Sequence, residues 1–263
     1  MQRKNKILFW FFAVLFISAV MFAIFYYQEQ QGRANIYEKI TDENRTGEQV
    51  PETPESEEQL QKEEPEPTGK PIEIPIDFET LQAEYPDIYA WIRIPDTNVD
   101  YPIVQSVRDQ AYYLDHTIEG KEGLPGSIYT QDLNKKDFSD KNTVIYGHNM
   151  KDGTMFGGLH QYMDPSYMHA HPIIYIYTSK HIYQYQVFAA VTYDNRHILQ
   201  SYDFNDDGQY QEYLDSLYGV RNLKSYIDTD VDVTTENRII TLSTCNGNSE
   251  QRFLVEAVLI SEE

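Results

Sequence analysis

The sequence predicts a mainly β domain of eight strands with a few peripheral helices, folded as a closed barrel or a sandwich. Short runs rich in Val, Ile, Thr and Tyr recur between residues 89 and 260, and turn residues such as Gly123 and Gly126 separate them. The longest run, 182–193, alternates along its length, as a strand with two different faces does. A barrel or a sandwich hides the strand edges that such a sheet would otherwise expose.

The strands are predicted at 89–94, 99–104, 127–130, 143–146, 173–178, 182–193, 238–244 and 253–260. A short helix is predicted ahead of them, between Asp77 and Pro86. Asp77 can cap its first turn, Phe78, Leu81 and Tyr85 share one face, and Pro86 ends it.

A second helix is predicted between two strands, at 209–219, because apolar side chains recur there at i, i+3, i+4, i+7 and i+8. The preceding stretch, 203–208, imitates the start of a calcium-binding EF-hand loop. Leu214 stands where the twelfth position of such a loop requires a bidentate Glu. We therefore expect this stretch to cap the helix and not to bind calcium.

The N-terminal part predicts a single membrane anchor. Residues 7–27 carry no charge, and roughly 20 such residues span a bilayer as a helix. Basic residues at 3, 4 and 6 precede the run, which places a cytoplasmic tail at 1–6 and the rest of the chain outside the cell. A cleaved signal peptide is the alternative, but the apolar run is long for one.

Acidity and proline mark the next segment, 28–70, as a disordered stalk that holds a folded domain, 71–263, away from the membrane. The chain as a whole has a formal net charge of −21. Such a charge argues against nucleic acid as a partner, because phosphate backbones require clustered Lys and Arg.

Cys245 is the only cysteine of the 263 residues, so it forms no disulfide within the chain. It ends a β-rich run on the more polar of its two faces, just before a short polar turn. Most free cysteines are small buried hydrophobes, whereas strand ends display reactive groups. Its position leaves a reactive and a structural role equally open.

A reactive thiol needs a base or a positive neighbour, because the thiolate is the attacking species. His148 follows Gly147 at the end of another predicted strand, and Arg252 stands across the polar turn from Cys245. If the strands are neighbours, imidazole, thiol and guanidinium meet at one rim, where Arg252 could stabilise an oxyanion. His160, His169 and His171 lack the spacing of zinc ligands, and we predict no metal site and no cofactor.

These residues stand within motifs that resemble the sortases, the cysteine transpeptidases of Gram-positive cell surfaces. The motifs are Val-Ile-Tyr-Gly-His148-Asn-Met, Thr-Leu-Ser-Thr-Cys245 and Arg252. Three further stretches resemble class B members in particular: Tyr-Pro-Asp-Ile-Tyr-Ala-Trp91-Ile, Asp100-Tyr-Pro-Ile-Val-Gln, and Tyr-Tyr-Leu114 followed by Gly126-Ser-Ile-Tyr. The likeness covers about residues 77–260.

The resemblance implies a closed eight-stranded sortase-type β-barrel with N-terminal helices and a helix inserted before the cysteine-bearing strand. It also implies a reaction. Cys245 attacks the Thr carbonyl of a C-terminal, NPxTx-like sorting signal, His148 exchanges protons with the leaving and incoming amines, and Arg252 stabilises the oxyanion. By position, the groove that binds the peptide would be lined by Gln110, Leu114, Tyr146, Ser243 and Thr244.

The partners implied are surface proteins that bear the sorting signal and an acceptor amine on a peptidoglycan precursor or a pilin. Two alternatives stay open at this stage. One is another thiol enzyme of the envelope, such as an L,D-transpeptidase, although the Ser-x-Gly-Cys-x-Arg pattern of those enzymes is absent. The other is a non-enzymatic surface β-barrel that binds a ligand and keeps Cys245 for packing.

Overall fold

The computed structural model describes residues 2–44 and 74–263. Its helices are α1 (Gln2–Asn44), α2 (Phe78–Glu84), α3 (Pro165–Ala170), α4 (Ile198–Ser201) and α5 (Asp207–Tyr218). Its strands are β1 (Ile88–Arg93), β2 (Asp100–Val104), β3 (Ile128–Thr130), β4 (Asn142–Tyr146), β5 (Ile173–Thr178), β6 (Ile182–Asp194), β7 (Tyr226–Ile227), β8 (Ile239–Cys245) and β9 (Gln251–Glu262). Two 3-10 helices, Tyr112–Leu114 and Gly157–Met163, lie in the connections.

Eight of the strands in the described residues close into a barrel in the order β1-β2-β3-β4-β8-β9-β6-β5, and β5 pairs back with β1. The two-residue strand β7 pairs with β6 outside this ring. The pairs β2–β3 and β4–β8 are parallel, and the other neighbours in the ring are antiparallel. The predicted closed eight-stranded barrel is confirmed, and closure decides against the sandwich.

The alternation of side chains along the strands divides the core in two. In β8, Ile240 and Leu242 belong to the larger hydrophobic cluster, whereas Ile239 belongs to a second cluster. The second cluster contains the apolar face of α5, so this helix covers the outer side of β4, β8 and β9. Because successive strand residues point to opposite faces, one strand serves both clusters.

Both predicted short helices form. Asp77 caps α2 by accepting a hydrogen bond from the Thr80 amide, and Asp206 caps α5 by accepting one from the Gln209 amide. The expectation that 203–208 caps the following helix is therefore confirmed. The buried side of α5 carries the residues with helical spacing: Tyr210, Tyr213, Leu214 and Leu217.

The helix α1 extends beyond the apolar run. By length and composition it contains a candidate membrane span within Trp10–Asn44, where an 18-residue window has a mean hydropathy of 2.1. From composition we expected a disordered stalk from residue 28 onward, but residues 28–44 continue the helix. Its last turns pack on the barrel, because Ile36, Tyr37 and Ile40 form an apolar stripe that is buried there. The rest of the predicted stalk, 45–70, lies outside the described residues.

Candidate active site

Parallel pairing brings the ends of β4 and β8 together. Tyr146 is the register partner of Ser243, and the pairing continues past the strand, where the Gly147 amide donates to the Ser243 carbonyl at 3.2 Å. His148 follows Gly147 at the end of β4, and Thr244 and Cys245 follow Ser243 at the end of β8. Strands paired in parallel end at the same edge, so His148 and Cys245 share one rim of the barrel, as the sequence predicted.

Three further hydrogen bonds fix this rim. The Thr244 hydroxyl donates to the Gly147 carbonyl at 2.8 Å, and the Asn149 side-chain amide donates to the Cys245 carbonyl at 2.9 Å. The Phe156 amide donates to the His148 carbonyl at 2.9 Å, which joins the segment after β4 to the start of the 3-10 helix Gly157–Met163. The backbone that carries the thiol is thus held from its β4 side.

The hairpin formed by β8 and β9 places Arg252 directly opposite Cys245 in the antiparallel register. Directly opposed residues in an antiparallel pair point to the same face of a sheet. Cys245 is exposed and Arg252 is half-buried, and Nη1 of Arg252 donates to the Gln251 carbonyl at 3.0 Å. A short turn therefore converts a separation of seven residues in sequence into a cross-strand pair.

The His148 ring is oriented by a backbone carbonyl. Its Nε2 lies 2.6 Å from the Leu114 oxygen. A carbonyl can only accept a hydrogen bond, so Nε2 carries the hydrogen, and in the neutral ring Nδ1 keeps the free lone pair. The sequence does not reveal this acceptor, because a backbone oxygen of residue 114 leaves no mark in the residue types.

Gly126 allows the two segments to approach. A Cβ at this position would lie 2.5 Å from the Leu114 carbonyl oxygen and 3.1 Å from Cδ2 of His148, and the φ angle is +65°. Only glycine fits both the space and the backbone conformation. The signal was present in the sequence, in the Gly126-Ser-Ile-Tyr motif, but its contact with His148 was not foreseen.

Two stacked tyrosines line the rim next to the thiol. Tyr129 and Tyr146 are register partners of β3 and β4, with ring centroids 5.3 Å apart. Burial raises the pKa of Tyr129 to about 12, while the charge of Arg252 acts in the opposite direction. Burial likewise raises the pKa of Tyr146, again opposed by Arg252. Both phenols are therefore neutral and lie within the field of the guanidinium.

The residues predicted to line the groove are brought together only in part. Ser243 and Tyr146 share the face that carries Cys245, and Leu114, whose carbonyl contacts His148, is 45% exposed. Thr244 points to the opposite face, and its hydroxyl is already bonded to Gly147. The amide of Gln110 donates to Asp132 at 2.7 Å. Tyr129 and Asn149, which the sequence did not single out, lie at the rim instead.

No group of three or more His, Cys, Asp and Glu side chains is arranged to hold a metal ion within residues 2–44 and 74–263. The chemistry that the rim offers is that of a thiol, an imidazole and a guanidinium on neighbouring strand ends. This set suits acyl transfer, in which a nucleophile, a proton carrier and an oxyanion donor must lie side by side.

Comparison with known proteins agrees with this chemistry. The sortase domain family matches residues 92–260. The chain is 33% identical to sortase B of Listeria monocytogenes over 193 residues, which cover 72% of this chain and 76% of that protein.

Two solved structures are also similar to this chain. One is a Staphylococcus aureus sortase B–substrate complex, with a TM-score of 0.62, 34% identity, and coverage of 70% of this chain and 84% of that one. The other is sortase B from Bacillus anthracis in complex with AAEK1, with a TM-score of 0.66, 30% identity, and coverage of 90% and 98%. The barrel, the site and these relatives together show that the chain belongs to the sortase family, as a class B member.

Proposed function

We propose that this protein is a membrane-anchored transpeptidase that cleaves an NPxTx-like C-terminal sorting signal after its Thr and transfers the protein to an amine of peptidoglycan or of a pilin. The observation that carries the proposal is the strand register, which sets exposed Cys245 beside His148 on one neighbour and Arg252 on the other. A relative solved as a sortase B–substrate complex supports a peptide substrate. The family match favours this function over an L,D-transpeptidase or a non-enzymatic barrel.

In the first half of the reaction, the Cys245 thiol gives its proton to Nδ1 of His148, its sulfur bonds to the Thr carbonyl carbon, and the carbonyl oxygen becomes an oxyanion. Arg252 stabilises this charge, because its planar fork stays protonated and offers two parallel donors. The Thr–Xaa amide bond then breaks, and the leaving nitrogen takes a proton from the imidazolium of His148. A thioester between Cys245 and the Thr acyl group remains.

In the second half, an acceptor amine attacks the thioester and gives a proton to neutral His148. The new amide forms, the C–S bond breaks, and Cys245 leaves as a thiolate beside the imidazolium, ready for another cycle. Since Nε2 of His148 is bonded to the Leu114 carbonyl, proton transfer runs through Nδ1. Ser243 and Tyr146, on the same face as the thiol, are the groove residues best placed to contact the peptide.

Intact-mass measurement of the full-length protein, incubated with an NPxTx peptide and an amine, tests this function. We expect an adduct with the mass of the peptide acyl group, a released C-terminal fragment and, with amine present, an amide product. Cys245→Ala should form neither adduct nor product. Equal cleavage by the wild type and Cys245→Ala would refute the proposal, and turnover of peptidoglycan stems without any protein substrate would favour the L,D-transpeptidase.

A further inference from the structure

The C-terminal part of α1 packs on the barrel next to the connection that precedes β3. Tyr37 is 3% exposed, and its ring packs edge-on against Tyr101 of β2, with centroids 5.8 Å apart. Arg33, one turn earlier, donates to the Glu122 carbonyl. The helix therefore contacts the segment 115–127 through two side chains, one charged at the edge and one buried in the interface.

The phenol of Tyr37 contacts two polar groups at the C-terminal end of this segment. It donates to the Gly126 carbonyl and lies 3.0 Å from the Ser127 hydroxyl. The Ser127 hydroxyl in turn donates to the His116 carbonyl at 2.9 Å, and the Ser127 amide donates to the Tyr113 carbonyl at 3.0 Å. Tyr37 thus secures the point at which the segment turns into β3.

The same point touches the candidate catalytic histidine. The Cα of Gly126 faces Cδ2 of His148 and the Leu114 carbonyl so closely that no side chain fits between them. The Leu114 carbonyl is the group that accepts the Nε2 hydrogen of His148. A displacement of Gly126 would therefore change the packing against the imidazole and against the carbonyl that accepts its hydrogen bond.

We propose that Tyr37 is a positioning residue of the active site: through Gly126 and Ser127, the helix that carries the apolar run sets the orientation of His148. The link is short, because a single hydrogen bond and one close backbone contact join α1 to the imidazole. It gives the last turns of α1 a role in the reaction as well as in attachment. This role concerns the proton transfers of the proposed transpeptidase, and its effect on His148 exists whether or not the substrate is a sorting signal.

The test compares full-length wild type with Tyr37→Phe in lipid nanodiscs. Phenylalanine keeps the ring packed on Tyr101 and removes only the hydroxyl. We expect kcat for an NPxTx peptide to fall about tenfold, the size of one lost hydrogen bond expressed at the reacting centre, with KM within about twofold of the wild type. The pH profile of kcat and the NMR signals of the His148 ring, assigned with a His148→Asn variant, should both shift.

Thr41→Val is the matched control, since it also removes one hydroxyl from the buried side of α1, where Thr41 bonds to the Tyr37 and Asp100 carbonyls. We expect its kcat and its His148 signals to match the wild type. Unchanged kcat and unmoved His148 signals in Tyr37→Phe would overturn the role, and so would equal losses of activity and thermal stability in both variants. If the wild type does not cleave the peptide, the proposed function fails, and the His148 signals alone decide whether Tyr37 positions this ring.

Discussion

At the scale of single residues, the site depends on close packing around His148 as much as on the three reactive groups. Leu114 contributes a backbone oxygen, Gly126 contributes the absence of a side chain, and Asn149 secures the Cys245 carbonyl. None of these contributions involves a group that reacts. Leu114 and Gly126 hold the imidazole in one tautomer and one direction, which proton transfer to an amine requires, and Asn149 holds the backbone that carries the thiol.

Gly126→Ala tests this packing. The added methyl would lie 2.5 Å from the Leu114 oxygen and would force a left-handed backbone on an L-residue. We expect kcat/KM for the sorting peptide to fall more than about tenfold, because a misplaced catalytic group is costly to rate.

Gly153→Ala is the control for backbone strain, since Gly153 has a φ of +81° but its nearest neighbour would be an ordinary contact at 3.6 Å. We expect it to lose stability and to keep most of its activity. Similar kcat/KM values for the two alanine variants would show that the contact with His148 is unimportant.

At the scale of elements, α5 is fastened to the strands of the site by a buried polar cluster. Glu256 of β9 is fully buried and accepts hydrogen bonds from the Tyr213 hydroxyl of α5 at 2.7 Å and from the Thr241 hydroxyl of β8 at 2.8 Å. The Thr241 hydroxyl also contacts the Asn142 side chain of β4 at 3.0 Å. The cluster therefore joins the inserted helix to the three strands whose ends carry His148, Cys245 and Arg252.

Glu256 should make stability depend on pH. Burial raises its pKa from 4.5 to about 8. Between these values the folded protein keeps a proton that the unfolded chain has released, so this contribution is full below about pH 4.5 and is lost as pH rises through 8. Tyr213 and Tyr210, which face Glu256 from α5, have pKa values raised by burial and stay neutral throughout this window.

Glu256→Gln keeps the shape of the side chain and cannot ionise. We expect its free energy of unfolding, from denaturant titrations at several pH values, to fall less steeply between pH 4.5 and 8 than that of the wild type. The exposed Glu79→Gln serves as the control and should follow the wild type. Parallel curves for the wild type and Glu256→Gln would show that Glu256 does not hold its proton in this range.

At the scale of the whole molecule, one helix connects the apolar run with the barrel. At a rise of about 1.5 Å per residue, Tyr37 lies about 15 Å along the helix from Tyr27. If residues 7–27 span a bilayer, the barrel stands close to its surface, and not at the end of a long flexible stalk. The rim with Cys245 would then work near the membrane.

Labelling of intact cells tests this arrangement, because Cys245 is the only cysteine and is exposed. We expect a membrane-impermeant maleimide to label the full-length protein and to leave Cys245→Ala unlabelled. The proposed orientation predicts that permeabilising the cells adds little to the signal. Labelling that appears only after permeabilisation would place the barrel on the cytoplasmic side.

The sequence by itself determined the mainly β class, the eight strands of the barrel and the helices α2 and α5, because these follow from local periodicity, capping and turn residues; it missed β7, α3 and α4. It also pointed to Cys245, His148 and Arg252, since each is marked by its type and by its place at a strand end. Only the tertiary structure decided that the sheet closes, that Thr244 faces away from the thiol, and that Leu114 and Gly126 hold the imidazole. The pairing of β5 with β1, the parallel register of β4 and β8 and the burial of Tyr37 under Gly126 are contacts between distant parts of the chain. Such contacts depend on how the elements pack, and local patterns do not encode them.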